Sequence, residues 1–246
     1  MLELAPGAAH LWYVFSDPVR DEALLAAYHR LMAPDEATQQ ARFLFANNRH
    51  EYLLTRALVR TVLSKYAPVA PEAWTFVRNE FGRPSIAGPA GVPPLRFNLS
   101  NTQGLIACLV ALDRDVGVDV EDTERSNSAM DIADRFFSPA EVRALRAQPS
   151  TRQGERFFEY WTLKESYIKA RGMGLAIPLD QFSFHLDDGP EIGISFDPRL
   201  EDDRAAWQFA LYRPSPRHMM AAAVRKGADP PLSIELRETV PLLDRG

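Results

Sequence analysis

The chain of 246 residues contains a single cysteine, Cys108, and this scarcity excludes a fold held together by disulfide bonds. It also lacks a dense lysine and arginine block, and its formal net charge of -5 indicates neither a nucleic-acid surface nor a membrane surface. Its apolar runs are shorter than the roughly 18 residues that span a bilayer. No basic segment precedes the first apolar stretch, so no signal peptide is expected. These absences predict a cytoplasmic protein of one large or two modest domains.

Apolar spacing and turn residues predict helices and strands in both halves of the chain. Two of the predicted helices cover residues 34–66 and 131–148, and the proline-rich stretch 83–94 is predicted to be a long loop. The predicted strands at 105–112 and 116–121 are separated only by "DRD", which favours a hairpin between them. The pattern as a whole is typical of an α+β protein.

The domain prediction follows from this alternation. Residues 1–113 form the first half and residues 114–228 the second, with a tail at 229–246 for which the sequence suggests no role. The predicted hairpin would then lie near the junction of the two halves.

The stretch "VGVDVED" ends an apolar strand in three acids. In a strand, Asp119 and Glu121 point to the same side, with backbones about 6.6 Å apart at ~3.3 Å per residue. Both carboxylates can therefore touch one ion. The other interpretation, a solvated strand end, is the commoner one for an isolated pair of acids.

A second stretch, "EYWTLKESYIKARG", places Glu165 and Lys169 on one face of a helix. Taken alone, the pair is explained by a surface salt bridge worth about 0.3–0.5 kcal/mol. Together with Asp119 and Glu121, however, Glu165 completes a set of three carboxylates that suits magnesium, a hard cation that prefers oxygen ligands. Lys169 could then neutralise a phosphate leaving group, so the combination suggests metal-assisted phosphoryl-type transfer.

Arginines offer a place for further phosphate groups. Arg49, Arg56 and Arg60 fall along one stripe of a predicted helix, although a solvated basic face explains most such stripes. Arg83 follows Gly82 in the turn "FGRP". Arginine side chains suit phosphate oxygens because their donors form a planar fork.

Five stretches occur in an order that resembles the 4'-phosphopantetheinyl transferases of the larger, monomeric, surfactin-synthetase-activating type. They are "FGRPSI", "FNLSNTQGL", "VGVDVED", "FFSPAEVRAL" and "FFEYWTLKESYIKARGMGL", and the resemblance covers roughly residues 40–185. It implies two α+β halves related by a pseudo-twofold axis, each with a mostly antiparallel sheet packed on helices, and coenzyme A in the cleft between them. It also implies transfer of the phosphopantetheine arm of coenzyme A to a serine of an apo acyl or peptidyl carrier protein, with release of adenosine 3',5'-bisphosphate.

The resemblance implies roles for residues of the second half. Asp119, Glu121 and Glu165 would hold magnesium, and Glu165 would also deprotonate the incoming serine. Lys169 would stabilise or protonate the departing phosphate. Lys164 would contact the phosphates of the cofactor.

For the first half, the resemblance implies that Arg49, Arg56 and Arg83 grip the 3'-phosphate and adenine end of coenzyme A. Ser100 and Asn101 would lie on a phosphate-binding loop. The family usually carries histidine where this chain has Asn101, and an amide donates hydrogen bonds but carries no positive charge. Weaker coenzyme A binding, or a flatter pH response at acid pH, is therefore expected.

Gly172 and Gly174 have two possible interpretations. They match the end of the family motif, and they also suit an ordinary helix C-terminus. Two alternative functions remain as well. One is a catalytically silent module that binds a carrier protein or coenzyme A, and the other is a magnesium-dependent phosphohydrolase that uses water as nucleophile.

Overall fold

The computed structural model describes residues 1–124, 129–186 and 191–243. These residues form six α-helices and eleven strands. The helices are α1 (Glu22–Leu31), α2 (Pro34–Ala41), α3 (Ala46–Leu63), α4 (Ala129–Phe136), α5 (Pro139–Ala147) and α6 (Ser150–Arg171). The strands are β1 (Ala8–Phe15), β2 (Thr75–Arg78), β3 (Pro84–Gly88), β4 (Leu95–Thr102), β5 (Leu105–Leu112), β6 (Val116–Asp122), β7 (Phe182–His185), β8 (Gly193–Phe196), β9 (Trp207–Ser215), β10 (His218–Arg225) and β11 (Ser233–Glu238).

The same topology occurs twice along the chain. In the first half, a strand is followed by helices, by the hairpin β2–β3 and by the hairpin β4–β5, and its sheet contains the order β1-β5-β4. In the second half, β6 is followed by helices, by the pair β7–β8 and by the hairpin β9–β10, and its sheet has the order β6-β10-β9. All of these strand pairs are antiparallel. The predicted α+β fold of two similar halves is confirmed.

The predicted hairpin between the strands at 105–112 and 116–121 is wrong. Strand β5 is the partner of both β1 and β4, so neither of its edges is left for β6. Strand β6 pairs instead with β10, from Val116 against Val224 to Asp122 against His218. The short connection at 113–115 therefore carries the chain from one sheet to the other.

Four further elements differ from the sequence prediction. The helix expected at 34–66 is divided into α2 and α3, and the helix expected at 131–148 is divided into α4 and α5. The second break occurs because Ser138 caps α5 and Pro139 occupies its first turn. The predicted loop at 83–94 contains β3, and the predicted tail contributes β11, which pairs in parallel with β1.

The two sheets meet through side chains rather than through a backbone ladder. The amide of Val118 donates to Asn98 Oδ1 at 2.9 Å, and the amide of Val120 donates to Ser100 Oγ at 3.2 Å. Both acceptors lie on β4, so alternate side chains of β4 satisfy the free edge of β6. These two hydrogen bonds fix β6 against the first half of the molecule. Within the described residues, none of the helices combines the length and the apolar character that crossing a membrane requires.

Candidate active site

The three acids of β6 are divided between its two faces. Asp122 lies on the same side as Val116, Val118 and Val120 and forms a two-pronged ion pair with Arg217, at 2.9 and 2.5 Å. The hydrogen bonds from Arg217 lower the pKa of the Asp122 carboxyl below its usual value. Asp122 is therefore a structural acid.

Gly117 allows the helix α6 to approach the other face of β6. A Cβ atom at this glycine would lie 2.0 Å from the carbonyl oxygen of Ser166 and 2.5 Å from the amide nitrogen of Ala170. Only glycine permits such a close contact between a strand and a helix backbone. Because Asp119 and Glu121 share this face with Gly117, the packing brings them next to the inner side of α6.

Lys169 of α6 and Asp119 of β6 form the centre of the site. The ammonium of Lys169 lies 2.6 Å from Asp119 Oδ1 and 2.9 Å from Ser100 Oγ, and Ser100 donates to the same carboxylate oxygen at 3.1 Å. Asp119 is 4% exposed, and its second oxygen, Oδ2, is buried with no hydrogen-bond partner among the described residues. The indole N–H of Trp161 donates to Glu121 Oε1 at 3.0 Å.

Glu165 lies one helical turn before Lys169 and experiences the charge of Asp119. Burial raises the pKa of the Glu165 carboxyl to about 7, and the negative charge of Asp119 adds to this rise, while Lys169 partly opposes it. A carboxyl that titrates near neutral pH is suited to accepting a proton from a substrate hydroxyl. Glu165 can therefore take up a proton, and Lys169 is a cation that can stabilise developing negative charge.

The donor set has the chemistry of a magnesium site. Carboxylate oxygens are hard ligands, and the orphaned Oδ2 of Asp119 is a buried acceptor that a cation would satisfy. Within residues 1–124, 129–186 and 191–243, however, no three histidine, cysteine, aspartate or glutamate side chains are grouped closely enough to hold an ion. In this arrangement the positive charge beside Asp119 comes from Lys169.

A basic cavity lies in the first half, between α2, α3 and the hairpin β2–β3. Its volume is about 910 Å³, and Arg42, Arg56 and Arg78 line it together with Tyr52 and Phe76. Arg56 is 7% exposed, and its Nε is buried with no hydrogen-bond partner within the described chain. Arg60 also lines the cavity, as do two acids, Asp35 and Glu36, so four guanidinium groups face two carboxylates. This excess of guanidinium groups is suited to a phosphate group.

Sequence reasoning missed Arg42 and Arg78. A signal for Arg78 was available, since it lies two residues after Phe76 in a strand and must share its face. Arg60, which shares the predicted stripe, has another role: it is 1% exposed and donates to Glu36 at 2.8 Å and to the carbonyl of Trp74 at 2.7 Å.

Comparisons with known proteins show the family of this chain. Residues 115–223 match the family model described as the 4'-phosphopantetheinyl transferase superfamily, and residues 17–113 match the model described as 4'-phosphopantetheinyl transferase, N-terminal. The chain is 33% identical to the 4'-phosphopantetheinyl transferase HetI of Nostoc sp. over 175 residues, which cover 71% of this chain and 73% of that protein. The chain belongs to the 4'-phosphopantetheinyl transferase superfamily.

Another phosphopantetheinyl transferase, Sfp of Bacillus subtilis, is 31% identical over 191 residues, covering 77% of this chain and 80% of that protein. A solved structure, the holo-(acyl-carrier-protein) synthase of Bacillus anthracis in complex with CoA (3',5'-ADP), is 18% identical. It matches 45% of this chain and 93% of its own, with a TM-score of 0.39. The two family models and the relatives HetI and Sfp confirm the predicted family and enzyme class.

Lys164, one of the predicted phosphate residues, lies on α6. It is fully buried, and its ammonium lies 2.7 Å from Glu141, 2.6 Å from the carbonyl of Leu179 and 2.8 Å from the carbonyl of Phe182. All three ammonium donors are therefore engaged inside the second half. The predicted contact with cofactor phosphates stays a prediction, and these three contacts engage every ammonium donor of Lys164.

The remaining predicted phosphate residues are dispersed. Arg49 donates to the carbonyls of Phe43 and Leu44, so it closes the loop before α3. Asn101 is exposed and lines a separate cavity of about 580 Å³ beside the start of α3. Ser100 is buried within the Asp119–Lys169 network rather than on an open loop.

Arg83 is also engaged with protein groups. Its guanidinium donates to Asp115 and to the carbonyl of Ala170 at the end of α6, at 3.1 and 2.8 Å. The predicted grip on the cofactor by Arg83 stays a prediction, and its Nη1 and Nη2 atoms donate to protein groups. Of the three predicted arginines, Arg56 alone lines the basic cavity.

Proposed function

We propose that the protein transfers the 4'-phosphopantetheine arm of coenzyme A to a serine hydroxyl of an apo acyl or peptidyl carrier protein, and that the reaction depends on magnesium. The observation that carries this proposal is the junction of β6 and α6, where the Asp119–Lys169 ion pair lies beside Glu165. Membership of the transferase superfamily supports the choice of coenzyme A and a carrier protein as substrates.

In the proposed reaction, the serine Oγ forms a bond to the phosphorus that bears the pantetheine arm. The bond from that phosphorus to the bridging oxygen breaks, and adenosine 3',5'-bisphosphate leaves. Glu165 accepts the serine proton, directly or through a water molecule. Lys169 stabilises the negative charge that develops on the departing phosphate.

Magnesium bound by Asp119, Glu121 and Glu165 would neutralise the pyrophosphate oxygens. The buried Oδ2 of Asp119, which has no hydrogen-bond partner among the described residues, supports this part of the proposal because a cation would satisfy it. The basic cavity lined by Arg56 supports a place for the 3'-phosphate of coenzyme A.

A labelling assay tests the proposal. The protein is mixed with a fluorescent coenzyme A analogue and an apo carrier protein, with magnesium or with excess chelator. We expect magnesium-dependent labelling of the carrier that is lost in Glu165→Gln and retained in Glu155→Gln, a matched change on the same helix. Glu155 is a suitable control because it pairs with the surface residues Arg152 and Arg213.

Two other outcomes would replace the proposal. Coenzyme A binding without labelling of several carriers would favour a catalytically silent binding module. Release of adenosine 3',5'-bisphosphate without any carrier protein would favour a phosphohydrolase.

A further inference from the structure

The turn between β2 and β3 reaches across from the first half to the end of α6. The side-chain amide of Asn79 donates to the carbonyl of Gly172 at 2.8 Å. Its Oδ1 accepts from the amides of Phe81 and Arg83, at 3.1 and 2.8 Å. One asparagine therefore fixes the shape of the turn and attaches the turn to the helix.

Arg83 makes the second attachment. Its Nη1 donates to the carbonyl of Ala170 at 2.8 Å, and both Nη1 and Nη2 lie 3.1 Å from Asp115 Oδ1. Ala170 follows Lys169 directly, and Asp115 lies in the connection that carries the chain from β5 to β6. The guanidinium thus joins the end of α6 to the start of the second half.

The stem of Arg83 lies against the glycine that ends the helix. Gly172 adopts a left-handed backbone with φ of 67° and caps α6. A Cβ atom there would lie 2.7 Å from Cδ and 2.9 Å from Nη1 of Arg83. The glycine therefore serves as a helix C-cap and also leaves room for the arginine.

We propose that Arg83, supported by Asn79, is a positioning residue that fixes the last turn of α6 and so holds Lys169 in register with Asp119. The kinetic part of this inference rests on the proposed transferase reaction. The carbonyl that Arg83 holds belongs to the residue after Lys169, so a shift of this turn moves the ammonium directly. Misplacement of a reacting group by about 1 Å can cost about a hundredfold in rate.

The test compares Arg83→Gln with Arg225→Gln. Arg225 also lies near Asp115, at 4.0 Å, but it is on β10 and half of its side chain is exposed. For Arg83→Gln we expect kcat to fall at least about tenfold. The Kd for coenzyme A, measured without carrier, should stay within about twofold, because no cofactor contact is lost. Amide hydrogen exchange at residues 169–172 should become faster, and Arg225→Gln should leave all three quantities unchanged.

A glycine pair provides an independent test. Gly172 and Gly174 both have positive φ, 67° and 54°, but a Cβ at Gly174 meets no atom within 4 Å. Gly172→Ala should reproduce the kinetic loss of Arg83→Gln because it displaces the arginine. Gly174→Ala carries the same kind of backbone strain and should keep kcat close to that of the unmodified chain.

Two results would overturn the inference. A Kd for coenzyme A at least about tenfold weaker in Arg83→Gln, with an unchanged single-turnover rate at saturating coenzyme A, would make Arg83 a cofactor ligand. Rates and amide exchange equal to those of Arg225→Gln would show that the contact positions nothing. Failure of the unmodified chain to label any carrier would refute the proposed function, and the exchange data would still decide the role of Arg83.

Discussion

Replacing Glu141 by glutamine should strongly destabilise the second half of the molecule. Glu141 and Lys164 form an ion pair at 2.7 Å, and both side chains are fully buried. Glu141 also accepts from the amide of Ser138 at 3.0 Å and from the amide of Phe184 at 2.9 Å. The carboxylate therefore links α5, α6 and β7 at one point.

The expected loss of stability depends on which buried group each substitution leaves without its partner. Removing one member of a buried ion pair typically costs about 3–5 kcal/mol, because the other charge stays buried without its partner. In Glu141→Gln the Lys164 ammonium keeps only carbonyl acceptors, and the new amide turns a donor towards a backbone N–H. The loss should lie at the upper end of that range. In Lys164→Met the carboxylate keeps both backbone donors, so the loss should lie at the lower end.

Denaturant unfolding of both single variants and of the double variant measures these losses. For a chain of this length, about 3–5 kcal/mol corresponds to a fall in Tm of about 6–20 °C. The double variant should lose less than the sum of the two single losses, since neither charge is then left alone. A loss below about 1 kcal/mol in Glu141→Gln, or an additive double variant, would refute the reasoning.

Four further outcomes are expected. Arg78→Gln should weaken coenzyme A binding about tenfold by calorimetry, because charge-assisted bonds to phosphate contribute about 1.5–3 kcal/mol; unchanged affinity would show that the basic cavity binds no cofactor phosphate. Asn101→His should tighten coenzyme A binding at acid pH, and an unchanged affinity and pH profile would contradict this. Gly117→Ala should cost about 3 kcal/mol or more in chemical unfolding, because its methyl group would overlap the backbone of α6. Added magnesium should change the emission of Trp161, whose N–H donates to Glu121, and the change should disappear in Trp161→Phe.

The fold was largely predictable because its halves follow the usual rules of apolar spacing. The main error, the hairpin between the strands at 105–112 and 116–121, arose because a short connection is the usual sign of a hairpin. Here the long buried strand β5 already has a partner on each edge, and β6 belongs to the other sheet. Pairing of this kind depends on strands far apart in sequence, so local spacing does not encode it. The break before α5, by contrast, was readable from Ser138 and Glu141, which form a capping box, and from Pro139 in the first turn.

The centre of the site was predictable, and its surroundings were not. Asp119, Glu165 and Lys169 lie on elements whose periodicity fixes which residues share a face. Lys164 precedes Glu165 directly on α6, but the two side chains point about 100° apart around the helix. Its ammonium consequently enters the core beside Glu141, a partner 23 positions earlier in the chain. The sequence signature alone does not distinguish a lysine that meets substrate from one that holds its helix in place.

The charge balance of the site explains why its acids are gathered there. Lys169 is committed to Asp119, and Glu165 lies near enough to both residues to experience their charges. The charge of Lys169 offsets only part of the effect of burial and of Asp119 on Glu165, whose pKa therefore rises to about 7. A divalent cation that bonds to carboxylate oxygens would satisfy the orphaned Asp119 Oδ2 and balance the excess negative charge. Under the proposed function, a cation bound there would release Lys169 from Asp119, and Lys169 could then act on the leaving group.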